Sequence, residues 1–547
     1  MISNDIKYSS FHYLIALLKE YGIKNIVASP GTQNAAFNLF VQDDDFFNVY
    51  SVVDERSAVY VANGIAIETN EPVVITCTEA TASRNWLSGL TEAYYSKLPI
   101  IACSFFNSDL NKFSFSQQFV DRSVSQNDIK EMSVELPKIT NEKEKNKALT
   151  VLNAALSTAK NFKTPVHINC PAFLDVEQIN NIKSLPKDIY STEVYKADFP
   201  DFSNELDNQK VAIFIGAHSR FSLSCENAIS EFVKKLNIPV FCDSNSNYYG
   251  HNKILISQLN NKFKNDLTPA IIIDIGEVCG EYSSFALFSN AKIWRISPDN
   301  KFHTRYNKPI EKLFCCEEEV FFNSFKNLKK TAYFDEVSKN IVKFNSIDLP
   351  FSLPYIARGL SFNLPINSTL HLAILNSLRS MNYFDLPQNI NVKANVGGFG
   401  IDGACSTLVG QSLVDENKKC FGLIGDLAFF YDMNILGNRH LKNNLRFLLV
   451  NNNKGAEFHL KTNSISKIEN KIERLNKIVS AAGHFSNGAK AWAEACGFEY
   501  FCANDKKEFD NLIKDFCLKE FEKPVLFECF TNVENENEAI KVLENEK

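Results

Sequence analysis

The chain alternates between short, wholly apolar runs and longer stretches with helical spacing. From the amino terminus the apolar runs are "NIVASPG" (25–31), "NVYSVVD" (48–54), "PVVITCTE" (72–79), "PIIACSF" (99–105) and "TPVHINCP" (164–171). None shows the in–out alternation of a half-exposed strand, so each predicts a strand buried on both faces. Helical stretches lie between them. A strand–helix–strand rhythm predicts a parallel sheet with helices on both sides. The opening "MISNDIKYSSFHYLIALLKEYG" places charges around a short apolar core, which predicts an amphipathic first helix and not a leader peptide.

The rhythm restarts twice. "VAIFIGAHS" (211–219), "IPVFCDS" (238–244), "AIIIDIGE" (270–277) and "AKIWRISP" (291–298) form a second set, followed by a mainly helical connection over about 317–346. A third set holds "STLHLAILNS" (368–377), "INVKAN" (390–395), "CFGLIGD" (420–426), "LRFLLVNNN" (445–453) and "KPVLFECF" (523–530). The polar, proline-punctuated stretch 185–210 reads as a linker. The predicted fold class is α/β: three doubly wound domains with mainly parallel sheets, over 1–185, 209–320 and 347–547. A chain of 547 residues is too long for one core. The tail "NVENENEAIKVLENEK" predicts a solvated last helix.

Composition removes several classes of function. A net charge of −6 gives no basic footprint for nucleic acid. No apolar run approaches the roughly 20 residues of a membrane span. Fourteen cysteines are scattered with no C-x-x-C pair, which points to reduced, buried thiols in a cytoplasmic protein and not to a disulfide or zinc framework.

In open parallel sheets ligands bind beyond the carboxyl ends of the strands. The first set offers "SPGTQN" (29–34), "DERSA" (54–58), "CTEATASRN" (77–85) and "SFSQQFVD" (114–121) there. The third offers "NVGGFGIDG" (395–403), "GDLAFFYDMN" (425–434) and "NNNKGAEF" (451–458). Asp54 and Glu55 read as a helix N-cap and a first-turn acid. Asp426 and Asn452 stand 26 residues apart at the tips of successive buried strands. A carboxylate, a side-chain amide and a loop carbonyl make a hard oxygen site suited to Mg²⁺, and the helix that follows would favour a diphosphate. The same residues also read as an acidic helix cap and an Asn-rich turn.

Several motifs in one order narrow this choice. "SPGTQN", "VDERSAVYVANGIA", "CTEATASRNWLSGLTEAYYSKLPII", "NVGGFGIDGACST", "GDLAFFYDMNIL" and "LLVNNNKGAEF" together resemble thiamine-diphosphate enzymes. Within that superfamily they are most similar to the menaquinone-pathway synthase family, the 2-succinyl-5-enolpyruvyl-6-hydroxy-3-cyclohexene-1-carboxylate synthases. The resemblance covers the first and third domains; the middle one matches in length and strand rhythm alone. It implies pyrimidine-binding, middle and diphosphate-binding domains, with thiamine diphosphate and Mg²⁺ as cofactors.

The resemblance also implies roles. Glu55 matches the glutamate that hydrogen-bonds the aminopyrimidine ring and so promotes loss of the thiazolium C2 proton. Asp426, Asn452 and the carbonyl of Lys454 match the metal ligands, and Gly425, Leu427 and Gly455 lie in the cofactor-binding segments. Thr32, Gln33, Glu79, Gln118, Ser377, Val396, Glu457 and Phe458 fall at substrate-pocket positions. A homodimer or homotetramer is implied, with active sites at the interface. The reaction implied is decarboxylation of a small 2-oxo acid donor and transfer of its acyl carbanion to a carbonyl or alkene acceptor. A plain decarboxylase, the menaquinone-pathway synthase itself and an inactive scaffold homologue are the other readings. The middle domain carries no dinucleotide fingerprint, so neither flavin nor nicotinamide is expected there.

The chain departs from the family where carboxylates are normally held by arginine. Gln33 and Val396 stand at two such positions, and Met381 at a third, with Arg379 two residues before it. Glu79 stands where a small hydroxyl is usual. Loss of three cations and gain of an anion predicts substrates less anionic than those of the synthase. His440, in "NRHLKNN", is expected at a solvated helix end. His459 is a candidate for facing the pocket.

Overall fold

The computed structural model describes the chain apart from residues 1–6, 109–124, 173–183, 188, 190, 192–200, 281–286, 289, 300–309 and 462–486. Eleven of the 26 residues of the predicted linker, and Gln118, lie outside the described residues.

Three six-stranded sheets form the frame, with every strand pair parallel. The first holds β1 (Asn25–Ala28), β2 (Asn48–Ser51), β3 (Val73–Thr78), β4 (Ile100–Phe106), β5 (Met132–Glu135) and β6 (Val166–Pro171) in the order β2-β1-β3-β4-β6-β5. The second holds β7 (Val211–Ile215), β8 (Val240–Cys242), β9 (Lys253–Leu255), β10 (Ile271–Ile275), β11 (Lys292–Ile296) and β12 (Lys312–Phe314), ordered β12-β11-β10-β7-β8-β9. The third holds β13 (Thr369–Leu372), β14 (Asn391–Lys393), β15 (Cys420–Gly425), β16 (Leu445–Asn451), β17 (Glu499–Ala503) and β18 (Val525–Phe530), ordered β14-β13-β15-β16-β18-β17. Counted from their own first strands, the first and third sheets share one topology. Each reverses direction between its first and third strands, which opens a crevice there.

The apolar runs form strands because period-2 side chains feed two cores at once. In β7, Val211, Ile213 and Ile215 enter one apolar cluster, while Ala212 and Phe214 enter the cluster on the other face. β10 divides in the same way: Ile271, Ile273 and Ile275 against Ile272.

By internal contacts the chain divides into two compact units. One contains Met1–Tyr195, Ser406–Val414 and Asn438–His440, and with them the first sheet. The other contains Lys196–Cys405, Asp415–Gly437 and Leu441–Lys547, and with them the second and third sheets. Two short pieces of the predicted third domain therefore count with the first unit. All fourteen cysteines are free, and most are buried. Burial pushes thiols such as Cys103 and Cys517 up, which keeps them unreactive. Among the described residues no helix is long and apolar enough to cross a membrane.

Candidate active site

In the second unit, the tips of β13, β15 and β16 border one cavity of about 770 Å³. Its walls bring together eight of the residues singled out from the sequence: Ser377 after β13, Gly425, Asp426 and Leu427 at the end of β15, and Asn452, Gly455, Glu457 and Phe458 after β16.

The Asp426 side chain is buried, and the Leu427 N–H donates to its Oδ1 at 2.8 Å. Gly425 precedes it with ordinary extended angles, φ −80° and ψ 159°, so the backbone does not require glycine. A Cβ added at Gly425 would meet nothing within 4 Å. Neither conformation nor packing explains this glycine; open space in the cavity wall does. The helix that follows is short, Asp426–Asp432, and runs into a 3₁₀ segment, Met433–Gly437.

The three consecutive asparagines have separate tasks. Asn451 is tied to β18 by its Nδ2 donating to Glu528 Oε1 at 2.8 Å, and its Oδ1 accepts from the Asn453 N–H at 3.0 Å. Asn453 takes a left-handed φ of 59°, which Asn tolerates better than most residues. That turn presents Asn452 to the cavity, with its Oδ1 accepting from the Lys454 N–H at 3.1 Å. The Asp426 carboxylate, the Asn452 amide and a carbonyl of this turn are hard oxygen donors of the kind that could hold a Mg²⁺ ion.

Ser377 opens differently from the prediction. The strand stops at Leu372, and Leu375 takes φ 64° and ψ −117° before the helix Asn376–Met381 begins. A non-glycine residue in that region is strained, and Leu375 lies in the cavity wall. Met381 is fully buried in the core. Arg379 is the cation from this helix that reaches the cavity, and its Nη1 donates to Glu457 Oε1 and Oε2 at 3.1 and 2.9 Å. Val396 does not line this cavity: it is buried in the core, where a Cβ on Gly280 would lie 3.2 Å from its Cγ1. His459 stands outside the cavity wall, and burial lowers its pKa.

Sequence reasoning missed Glu536. The last helix, Val533–Asn545, is not solvated all round: Val533, Glu536, Ala539 and Leu543 are buried, while Ile540 and Glu544 line the cavity. The spacing of Val533, Ala539, Ile540 and Leu543 already marks an apolar stripe, and Glu536 lies within it. The Glu536 carboxylate accepts from the Leu353 N–H at 3.1 and 3.0 Å and from Thr531 Oγ1 at 2.8 Å. Burial nevertheless pushes its pKa up to about 7; those hydrogen bonds lower it, and the Asp426 charge raises it.

In the first unit, Asp54 caps the helix Glu55–Thr69 as predicted, accepting from the N–H groups of Arg56 and Ser57 at 3.0 and 3.2 Å. Glu55 is the first residue of that helix, half-buried, and its Oε2 accepts from Asn85 Nδ2 at 3.3 Å. The helix is held by close approaches. A Cβ on Gly64 would overlap the Thr407 carbonyl oxygen, and one on Gly410 would overlap the carbonyl of Val61. Gln411 Nε2 adds a bond to Glu68 Oε1 at 2.9 Å. Glu55 thus sits at the end of an element that has little room to shift.

The neighbouring strand tips carry the remaining candidates. Thr32 is exposed and Gln33 half-buried, beyond a turn where Asn34 Nδ2 donates to the Ser29 carbonyl at 3.0 Å and to Thr76 Oγ1 at 3.1 Å. Glu79 turns inward: it is 2% exposed and accepts from the Asn107 N–H at 3.3 Å. Ala80 follows with φ 64° and ψ −130°, a conformation that suits glycine. His440 is no solvated helix end. Its Nε2 accepts from the Ser51 N–H at 3.1 Å, and Asn438 Nδ2 donates to the Ser51 carbonyl at 3.2 Å, closing the end of edge strand β2.

Residues 9–119 match the family described as "Thiamine pyrophosphate enzyme, N-terminal TPP binding domain". Over nearly its full length the chain is similar to proteins named 2-succinyl-5-enolpyruvyl-6-hydroxy-3-cyclohexene-1-carboxylate synthase. The one from Bacteroides fragilis is 28% identical, covering 96% of this chain and 97% of the relative. The one from Phocaeicola vulgatus is 28% identical, covering 96% of each, and that from Christiangramia forsetii is 25% identical, covering 96% and 97%. The chain carries the N-terminal binding domain of the thiamine-pyrophosphate enzymes and is a divergent relative of these synthases.

Proposed function

We propose that this protein is a thiamine-diphosphate- and Mg²⁺-dependent carboligase that decarboxylates a 2-oxo acid and transfers the acyl carbanion to a carbonyl or alkene acceptor. One observation carries the reading: a glycine that neither backbone nor packing requires, Gly425, borders open space beside Asp426 and Asn452. Bound thiamine diphosphate supplies the carbon nucleophile and the electron sink. In the reaction the bond from the 2-oxo carbon to its carboxylate breaks, CO₂ leaves, and the remaining electron pair bonds the acceptor's electrophilic carbon. Asp426, Asn452 and the Lys454 carbonyl would hold the metal. Gly425 leaves room for the diphosphate. Glu55 would accept a hydrogen bond from the protonated pyrimidine nitrogen, at the start of a helix fixed by its glycine contacts. Phe458 and Leu427 make the wall apolar, which strengthens the polar contacts within it.

The synthase activity named for the relatives is the rival reading. Gln33 at an arginine position, with the buried Glu79, favours an acceptor less anionic than that of the synthase. Efficient turnover of isochorismate with 2-oxoglutarate would overturn this preference. Cofactor binding tests the core of the proposal. Calorimetric titration of thiamine diphosphate is expected to require Mg²⁺ and to fail in Asp426→Ala, while Glu55→Gln binds but does not turn over. A homodimer or homotetramer with shared sites predicts complementation. An equal mixture of those two variants, refolded together, should recover about a quarter of wild-type turnover, from one intact site in half of the dimers.

A further inference from the structure

We propose that the donor taken by this cavity is a 2-oxo monocarboxylic acid with an uncharged tail, and that the Arg379–Glu457 pair enforces that choice. The inference rests on the function proposed above. Two cationic side chains, Arg379 and Lys547, line the cavity. Arg379 donates to both oxygens of Glu457. Lys547 Nζ lies 2.8 Å from Glu544 Oε1 and 3.3 Å from Tyr383 Oη. Glu457 and Glu544 belong to the same wall. Each cation is thereby neutralised by a carboxylate beside it. The other acids in the wall, Asp426 and Glu536, bring no positive charge. Among the described residues the wall carries no surplus positive charge for a substrate's second carboxylate.

Arg379 and Glu457 lie in the segments that follow β13 and β16, the strands that flank β15, whose tip bears Asp426. Their side chains are 28% and 22% exposed. A ligand in the cavity can therefore reach the pair, while water screens it incompletely. A donor with a distal carboxylate would have to take Arg379 from Glu457. That would leave two carboxylates at one guanidinium, one of them uncompensated. An uncharged tail leaves the pair intact, and a hydroxyl on it can donate to Glu457 or accept from Arg379.

The test uses the cofactor-loaded enzyme in single turnover, enzyme in excess, following labelled CO₂ from pyruvate and from 2-oxoglutarate. Wild type is expected to decarboxylate pyruvate faster. Glu457→Gln takes this carboxylate from Arg379 and should raise the 2-oxoglutarate-to-pyruvate ratio by roughly 10-fold or more. The double variant with Arg379→Gln should return it toward wild type. Glutarate binding by calorimetry gives a readout without chemistry and should tighten in Glu457→Gln. A wild-type preference for 2-oxoglutarate overturns the inference. So does an unchanged ratio, or unchanged glutarate affinity, in a Glu457→Gln protein that still binds thiamine diphosphate with Mg²⁺. If the wild type binds cofactor but releases CO₂ from no 2-oxo acid, the proposed function fails instead, and glutarate binding alone decides the role of the pair.

Discussion

Replacing Glu536 with Gln should change how stability depends on pH, and the structure gives both sign and size. The carboxyl moves from an ordinary 4.5 to about 7 on folding, chiefly through burial. Between those values the folded state holds a proton that the unfolded chain releases. Stability contributed by this group is therefore full below about 4.5, falls as pH rises through about 7, and is level above that. The shift of about 2.5 in pKa corresponds to ~3 kcal/mol. The group is buried, so solvent screening does not discount the figure. Glu536→Gln lacks the titration but keeps an acceptor for Leu353 and Thr531. In metal- and cofactor-free protein, the melting temperature of Glu536→Gln relative to wild type should rise between pH 5 and pH 8 by about 3–4 °C for a unit of this size. Mg²⁺ should shrink the difference, because it offsets the Asp426 charge that helps raise the pKa. Parallel curves for the two proteins across that range would refute the assignment of a titrating, buried Glu536.

Two glycines give opposite outcomes. Gly425→Ala adds a methyl that meets no protein atom within 4 Å, so its melting temperature should stay near wild type, within about 1 kcal/mol. Its thiamine-diphosphate affinity, measured by calorimetry, should fall by roughly 10-fold or more as the methyl occupies cavity space. Gly64→Ala drives a methyl into the Thr407 carbonyl and should cost about 3 kcal/mol in thermal unfolding. Normal stability there would show that the helix bearing Glu55 is not clamped as described.

The sheets were legible wherever strands are buried on both faces. Four strands were not predicted: β5, β9, β12 and β17. Each is the last strand at an edge of its sheet. An edge strand has one neighbour and more exposure, so it needs no continuous apolar run; β5 alternates between half-buried and exposed, and β9 and β12 have three residues each. The start of the helix after β13 was misread because "STLHLAILNS" is apolar throughout, and length alone does not separate a strand from a strand, a strained turn and a helix.

The gathering of three candidate residues in one cavity was legible for a different reason. Gly425, Asp426 and Asn452 lie at strand tips, and tip position follows directly from the strand reading. Charge balance in the cavity did not follow. Arginine positions counted along the chain suggested a loss of cations at Gln33, Val396 and Met381. Yet Met381 and Val396 point into the core, where an arginine would have to be paired or turned outward. The guanidinium that reaches the cavity, Arg379, is held by Glu457 from a segment 78 residues away. A pair made across three strands has no signature in local spacing. The sign of a pocket is therefore set less by which charged residues a chain keeps than by which of them the fold brings within hydrogen-bond reach. Among the described residues of this cavity each cation in the wall meets a carboxylate of that wall, and for that reason the uncharged donor tail follows from the pairing and not from the count.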